Sequence, residues 1–251
     1  MPSTLCIVRH GQSLWNEKNL FTGWVDVDLT AQGEKEARAA GEQMKKAGLW
    51  FDTSHTSVLT RAVRTANLAL ETLGQVWLQV NRSWRLNERH YGDLQGKDKV
   101  EMVQQFGKEQ VQLWRRSYDV PPPAVKRDHE FHPANDKRYR ALAQDALPTS
   151  ECLKDVVARV LPYWHDAVVP QLRAGQSVII IAHGNSLRAL VKYLECISDA
   201  DIVELNIPTG MPRLYRFKDD LTFAEPPRYL DEEAAKAGAA AVAKQTAGAK
   251  H

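Results

Sequence analysis

The chain has 251 residues, 43% of them hydrophobic and 25% charged, with 33 Lys and Arg against 31 Asp and Glu. That length rules out a disulfide-stapled miniature and suits an α/β domain with a sizeable core. A net charge of +2 leaves no general electrostatic footprint for nucleic acid or a membrane surface, so an anionic partner must be met by locally clustered cations.

In chain order, residues 4–8 form a short apolar run that stops at Arg9-His10-Gly11. Residues 31–47 carry apolar positions at Ala37, Ala40, Met44 and Ala47 between Thr30, an N-cap, and Gly48, a stop, and so predict a helix. A second helix is expected over 61–73, ending at Gly74. Trp77 and Leu78 suit either a subunit interface or a core strand. Pro121-Pro122-Pro123 lies in a polar stretch of weak periodicity, about 119–150, which reads as an excursion from the core, either a lid or a tolerated surface insertion. Residues 177–182 form another apolar run, ending at His183-Gly184, and 185–196 place Leu187, Leu190, Val191 and Leu194 on one helical face. The Ala-, Lys- and Gly-rich end, 231–251, reads as a frayed helix or, by default for a terminus, as disorder. Continuous β-branched runs separated by helices predict an α/β three-layer sandwich, with a mostly parallel central sheet flanked by helices. One catalytic domain would occupy 1–230.

The two strand exits echo each other. Val8-Arg9-His10-Gly11-Gln12-Ser13-Leu14 parallels Ile181-Ala182-His183-Gly184-Asn185-Ser186-Leu187. In one parallel sheet both histidines would emerge at the carboxyl edge, where α/β folds place ligands. A lone histidine there is usually structural, whereas two in matching contexts point to a site. Arg9, Arg61, Arg115 and Arg116 stand near element boundaries. Each alone reads as a solvated charge, but converging they suit a phosphorylated ligand. Gly92-Asp93-Leu94-Gln95-Gly96-Lys97 is one residue short of a phosphate loop, with Asp98 where Ser or Thr belongs, and His129-Glu130-Phe131-His132 is one residue short of zincin spacing. Cys6, Cys152 and Cys196 form no CxxC pair, which fits a reducing compartment. The first residues lack signal-peptide features, and the longest buried-looking run falls far short of the ~20 residues that span a bilayer. The expected place is the cytoplasm, and what remains is histidine and arginine chemistry on phosphate, without a required metal.

Arg9-His10-Gly11-Gln12-Ser13 matches the RHG signature of the histidine phosphatase superfamily. Asn16, the block Phe21-Thr22-Gly23-Trp24-Val25-Asp26-Val27-Asp28-Leu29-Thr30, and Trp84-Arg85-Leu86-Asn87-Glu88-Arg89-His90-Tyr91-Gly92 follow in family order. So do Trp114-Arg115-Arg116-Ser117-Tyr118-Asp119 and Ala182-His183-Gly184-Asn185-Ser186-Leu187-Arg188. From residue 4 to about 217 the chain therefore resembles the cofactor-dependent phosphoglycerate mutases. It departs from them at Lys97-Asp98, at Phe131-His132, and at 211–216, where Arg213 and Arg216 replace expected apolar or acidic residues.

The resemblance implies the mutase fold and interconversion of 3-phosphoglycerate and 2-phosphoglycerate, in glycolysis and gluconeogenesis, primed by 2,3-bisphosphoglycerate. It implies that His10 is the phosphoryl-carrying nucleophile, that Arg9, Arg61 and His183 surround the transferring group, and that Glu88 is the proton donor and acceptor. Ser13, Asn16, Thr22, Gly23, Arg89, Tyr91, Lys99, Arg115, Arg116, Gly184 and Asn185 would bind the phosphates and carboxylate. Ser13 leans towards mutase activity, because relatives specialised in the bisphosphate commonly carry a smaller residue there. Minor bisphosphoglycerate synthase and phosphatase activities, a homodimer or homotetramer, and a carboxyl-terminal lid bringing Lys236, Lys244 and Lys250 are also implied. A phosphatase of the same superfamily would share His10, Arg9, Arg61 and His183 but need not keep the long central blocks. An idle binding scaffold would have no use for the whole catalytic set.

Overall fold

The computed structural model describes residues 2–244, apart from the Lys244 side chain. Its elements are β1 (Ser3–Arg9), α1 (Leu14–Glu17), α2 (Ala31–Lys46), β2 (Thr53–Thr56), α3 (Thr60–Leu73), β3 (Val80–Arg82), α4 (Lys99–Phe106), α5 (Lys108–Arg116), α6 (Leu153–Tyr163), α7 (Val169–Arg173), β4 (Ser177–Ala182), α8 (Gly184–Leu194), β5 (Arg213–Phe217), β6 (Arg228–Tyr229) and α9 (Glu232–Lys244). The strands form one sheet in the order β3-β2-β4-β1-β5-β6. β3, β2, β4 and β1 run parallel, while β5 pairs antiparallel with both β1 and β6.

Because side chains alternate across a strand, the two apolar runs feed two cores. Leu5, Ile7, Val178 and Ile180 pack on one face with Val156, Val160, Leu187 and Leu190 of α6 and α8. Cys6, Val8, Ile179 and Ile181 pack on the other with Ala40, Met44, Ala66 and Leu70 of α2 and α3. Each of the central strand side chains Leu5, Ile7, Ile179 and Ile181 is at most 1% exposed, worth about 1.5–3 kcal/mol in transfer free energy apiece. The expected three layers and mostly parallel sheet are present.

Thr30 caps α2 by accepting from the Gly33 N–H at 3.0 Å, and Gly74 ends α3 with a left-handed φ of 84°. α6 continues through one π turn over Trp164–Val168 into α7. That widening precedes Pro170, which has no N–H to give the preceding turn.

The 119–150 stretch is held to the body at discrete points. Three 3₁₀ turns punctuate it, and Tyr139 and Leu147 pack with Trp24 in a small apolar cluster. The Asp93 N–H donates to the Pro123 carbonyl at 2.8 Å. Each departure from the family finds partners. Arg213 pairs with Glu195 at 2.8 Å and lies over the rings of Tyr215 and Tyr229; Arg216 reaches Thr4 Oγ1 at 3.1 Å. Asp98 caps α4, Lys97 pairs with Asp93, Phe131 packs on Trp15, and His132 caps a 3₁₀ turn.

Two expectations need correction. Trp77 and Leu78 precede β3 and do not share a fate: Leu78 is in the core, while Trp77 is 61% exposed with its ring 5.4 Å from that of Trp50. The Ala-rich end is helical over Glu232–Lys244, since Ala is the strongest helix former and Ala235 is buried. Lys236 is exposed, and Lys250 lies outside the described residues.

Candidate active site

β1 and β4 are neighbours in register, Arg9 opposite Ala182, and the His10 N–H extends the ladder to the Ala182 carbonyl at 2.9 Å. The sequence echo therefore becomes a spatial pair, with the rings of His10 and His183 4.9 Å apart and edge to face. Gly11 lets the chain leave β1 against α2, because a Cβ there would lie 2.1 Å from the Gly33 carbonyl oxygen.

His10 is fixed as a neutral imidazole with one nitrogen free. Its Nδ1 lies 2.7 Å from the Gly11 carbonyl, which can only accept, so Nδ1 carries the hydrogen and Nε2 keeps the lone pair. Burial, reinforced by Arg61 and Arg9, holds its pKa well below the ordinary value. Burial and Arg61 likewise keep His183 neutral. His183 Nε2 shares a 2.7 Å hydrogen bond with Ser57 Oγ, and its buried Nδ1 has no partner.

Cations converge on the same cleft from four segments. Arg9 donates to the Ile207 carbonyl at 2.7 Å, leaving its buried Nε unpaired. Arg61, in the first turn of α3, donates to the carbonyls of Gly23 at 2.8 Å and Val25 at 3.0 Å. That turn is capped by Asp26, whose carboxylate accepts from the N–H and hydroxyl of Thr60 at 2.7 Å. Arg115 and Arg116 close α5, where positive charge is favoured. Lys99 begins α4 with its Nζ 3.3 Å from Asn19 Oδ1, and burial together with Arg115 and Arg9 brings its pKa down to about 7.

Against these stands, among the described residues, one carboxylate in the lining, Glu88. Its Oε1 accepts from the N–H groups of Arg89 at 2.8 Å and Asn185 at 3.0 Å. Its carbonyl accepts from Trp24 Nε1 at 2.6 Å and Arg159 Nη2 at 2.9 Å. A Cβ on Gly184 would stand 3.5 Å from both Arg9 and Glu88 Oε2, so the three meet at one point.

Arg9, His10, Asn16, Thr22, Gly23, Arg61, Glu88, Tyr91, Lys99, Arg115, Arg116, Gly184 and Asn185 all line this cleft. The remaining expected residues stand behind its wall. Ser13 caps α1, accepting from the Asn16 N–H at 3.2 Å. Arg89 lies over the Tyr91 ring at 4.7 Å and donates to the Arg115 carbonyl, and His183 backs His10. No cluster suited to a metal ion occurs among the described residues.

The model of the histidine phosphatase superfamily, branch 1, matches residues 5–133 and 125–221. The chain belongs to that superfamily. It is 57% identical over 245 residues to a 2,3-bisphosphoglycerate-dependent phosphoglycerate mutase of Clavibacter sepedonicus, covering 97% of each chain. It is 56% identical over 248 residues to the protein of that name from Thermobifida fusca, covering 97% of this chain and 99% of the relative. A phosphoglycerate mutase structure from Bacillus anthracis str. Sterne superposes with a TM-score of 0.64 at 20% identity, over 94% of this chain and 96% of that one, and carries the fold.

Several site residues of this superfamily member escaped the sequence reading. Gln95 accepts from the Trp24 N–H at 2.8 Å and packs so closely that a Cβ on Gly23 would lie 2.0 Å from its Oε1. Ser57 follows β2 at the same sheet edge as the histidines, but β2 itself is not legible in the sequence, so Ser57 gave no signal. Arg188 and Val242 also line the cleft; the first was visible only as part of a longer family block, and the second gave no signal.

Proposed function

We propose that the protein is a 2,3-bisphosphoglycerate-dependent phosphoglycerate mutase that interconverts 3-phosphoglycerate and 2-phosphoglycerate through a phosphohistidine at His10. The observation that carries this is a neutral histidine, its Nε2 lone pair free, inside a cleft of buried cations with unpaired donors. A ligand with two phosphates and a carboxylate suits that donor set: Arg9 Nε, Thr22 Oγ1 and Arg115 Nη1 are all buried without partners. 2,3-Bisphosphoglycerate, when bound, supplies the phosphoryl group that primes His10.

From the phosphorylated state, His10 yields its group to the 2-hydroxyl of 3-phosphoglycerate. The P–N bond breaks, a P–O bond forms, and Glu88 takes the hydroxyl proton. His10 Nε2 then takes the group on the 3-oxygen, and Glu88 returns its proton to that departing oxygen, freeing 2-phosphoglycerate. Arg9, Arg61 and His183 offset charge on the transferring phosphoryl, a role that preorganised donors perform without reorganising. Asn16, Thr22, Gly23, Tyr91, Lys99, Arg115, Arg116, Gly184 and Asn185 hold the ligand's anionic groups. Ser13 and Arg89 fix the wall behind them.

Water must be kept from the phosphohistidine. Helix α9 suits a cover, since Val242 lines the cleft and Gly238 packs against Pro208. The family's dimer or tetramer would find a seat at the exposed Trp50–Trp77 pair. Among the described residues no helix is long and apolar enough to cross a membrane; the cytoplasmic place follows from the glycolytic mutase reading alone.

The test couples 3-phosphoglycerate turnover, with and without the bisphosphate, to free-phosphate release. Bisphosphate-dependent isomerisation with little phosphate is expected, and His10→Ala should lose both turnover and acid-labile phosphate. Phosphate release without isomerisation would make the protein a phosphatase.

A further inference from the structure

Arg188, on the second turn of α8, is 3% exposed and lines the cleft. Among the described residues it forms no ion pair. Its Nη1 donates to Asn185 Oδ1 at 2.8 Å, and its Nη2 donates to the Ile202 carbonyl at 2.7 Å. A longer contact of 3.5 Å runs from Nη2 to the Arg116 carbonyl. Its guanidinium thus joins two candidate ligand-binding residues, Asn185 and Arg116, to the segment that follows α8.

An asparagine amide has an accepting and a donating end, and which end faces an anion decides between attraction and repulsion. Asn185 Nδ2 lies 3.2 Å from the Tyr91 hydroxyl oxygen, which uses one of its two hydrogens. A guanidinium cannot accept a hydrogen bond, so the Asn185 oxygen must face Arg188 and the NH2 must face the Tyr91 side. Burial and the nearby Arg116 and Arg89 cations bring the Arg188 pKa down to about 9, which still leaves it charged at neutral pH. The same cation adds to the field on a bound anion.

We propose that Arg188 is a positioning residue for the ligand's anionic groups: it locks the Asn185 amide with its NH2 available to the cleft and tethers the end of α5 at Arg116. This inference rests on the phosphoglycerate reading for its substrate, though not for its geometry.

The test is a double-mutant cycle between Arg188→Met and Asn185→Ala, read by 3-phosphoglycerate kinetics in saturating bisphosphate. Arg188→Met should raise KM about tenfold while kcat stays within about threefold. Asn185→Ala should have a similar effect, and the double variant should be no worse than about twofold beyond the more impaired single one, because coupled groups do not add. Arg188→Lys keeps the charge and a single donor nitrogen, and should recover part of the lost affinity. It also carries the cycle if the methionine variant fails to fold. Full multiplication of the two single effects, or a fall in kcat at unchanged KM, overturns the proposal. Should the wild-type protein fail to isomerise 3-phosphoglycerate, the mutase reading falls, and calorimetric titration of the same four proteins with inorganic phosphate decides the Arg188 question separately. Sub-additive losses in phosphate affinity support it there, and multiplying losses refute it.

Discussion

Arg159→Met should be among the most costly single changes outside the cleft. Arg159, on α6, donates through Nε and Nη2 to both oxygens of Glu151, at 2.6 and 3.0 Å. It also donates to the carbonyls of Arg85 at 2.7 Å, Asn87 at 3.1 Å and Glu88 at 2.9 Å. Arg159 and Glu151 side chains are only 7% and 5% exposed, so the ion pair is screened little by solvent. Methionine would fill much of the volume but leave Glu151 a buried carboxylate with the His90 N–H, at 2.7 Å, as a remaining donor. Breaking one side of such a pair costs about 3–5 kcal/mol. At roughly 2–4 °C per kcal/mol for a chain of this size, thermal denaturation should show Tm lowered by about 6–20 °C. Glu151→Gln in the same chain should recover part of that loss, since it removes the stranded charge. Activity should fall too, because the Glu88 carbonyl would keep Trp24 Nε1 but lose the guanidinium. A Tm within about 2 °C of wild type, or a double variant as unstable as the two single losses added, would refute the reasoning.

Three further outcomes follow from the cleft. Lys99, at about pKa 7 in the free protein, should take up a proton when an anion binds, since the bound anion favours the ammonium form; affinity is then flat below pH 7 and falls as pH rises above it. KM for 3-phosphoglycerate measured between pH 6.5 and 9 should climb in wild type and stay flatter in Lys99→Arg, and parallel profiles would count against it. Gly23→Ala forces a left-handed residue, φ +58°, against Gln95, with a strain of about 1–2 kcal/mol. It also displaces the carbonyl that holds Arg61, so kcat/KM should drop at least tenfold; an unchanged value sinks the packing claim. Truncation after Leu230 removes α9 and should raise the ratio of phosphate release to isomerisation, with an unmoved ratio returning the helix to a purely structural role.

The strands and helices legible in the sequence are those whose own residues carry the reason for their conformation. β1 and β4 are continuous apolar runs because both faces are covered, and α2 carries its cap at Thr30 and its apolar stripe within 17 residues. β2, Thr53–Thr56, gives no such signal because it is buried with polar side chains, most of them bonded to distant partners. His55 bonds Tyr163 and Gln171 at 2.8 Å, and Thr56 Oγ1 donates to the Ile181 carbonyl at 2.7 Å. The 119–150 stretch is opaque for a related reason: it is organised by 3₁₀ turns and single anchors, which have no period to read. Arg159 resembles any helical arginine until Arg85 and Glu88, more than 70 residues earlier, fold against it. Residues 232–244 show the opposite weighting, since their place near a terminus favoured disorder over a frayed helix, while alanine's helix propensity, with Ala235 buried, favoured α9.

The cleft itself was legible through family-ordered blocks, but what keeps it together was not. Its cations are buried near one another with, among the described residues, a single lining carboxylate, so burial and their own repulsion both work against them. The fold offsets that cost mainly with backbone carbonyls. Arg9 is held by Ile207, Arg61 by Gly23 and Val25, Arg89 by Arg115, and Arg188 by Ile202. Carbonyls orient a guanidinium without neutralising it, whereas carboxylates would do both and weaken the field that an anion meets. A carbonyl acceptor can be any residue type, so these supports leave no trace in composition or motif. The charge of the cleft is thus written in arginines that the sequence displays, and its preorganisation in main-chain oxygens that only the folded chain brings to them.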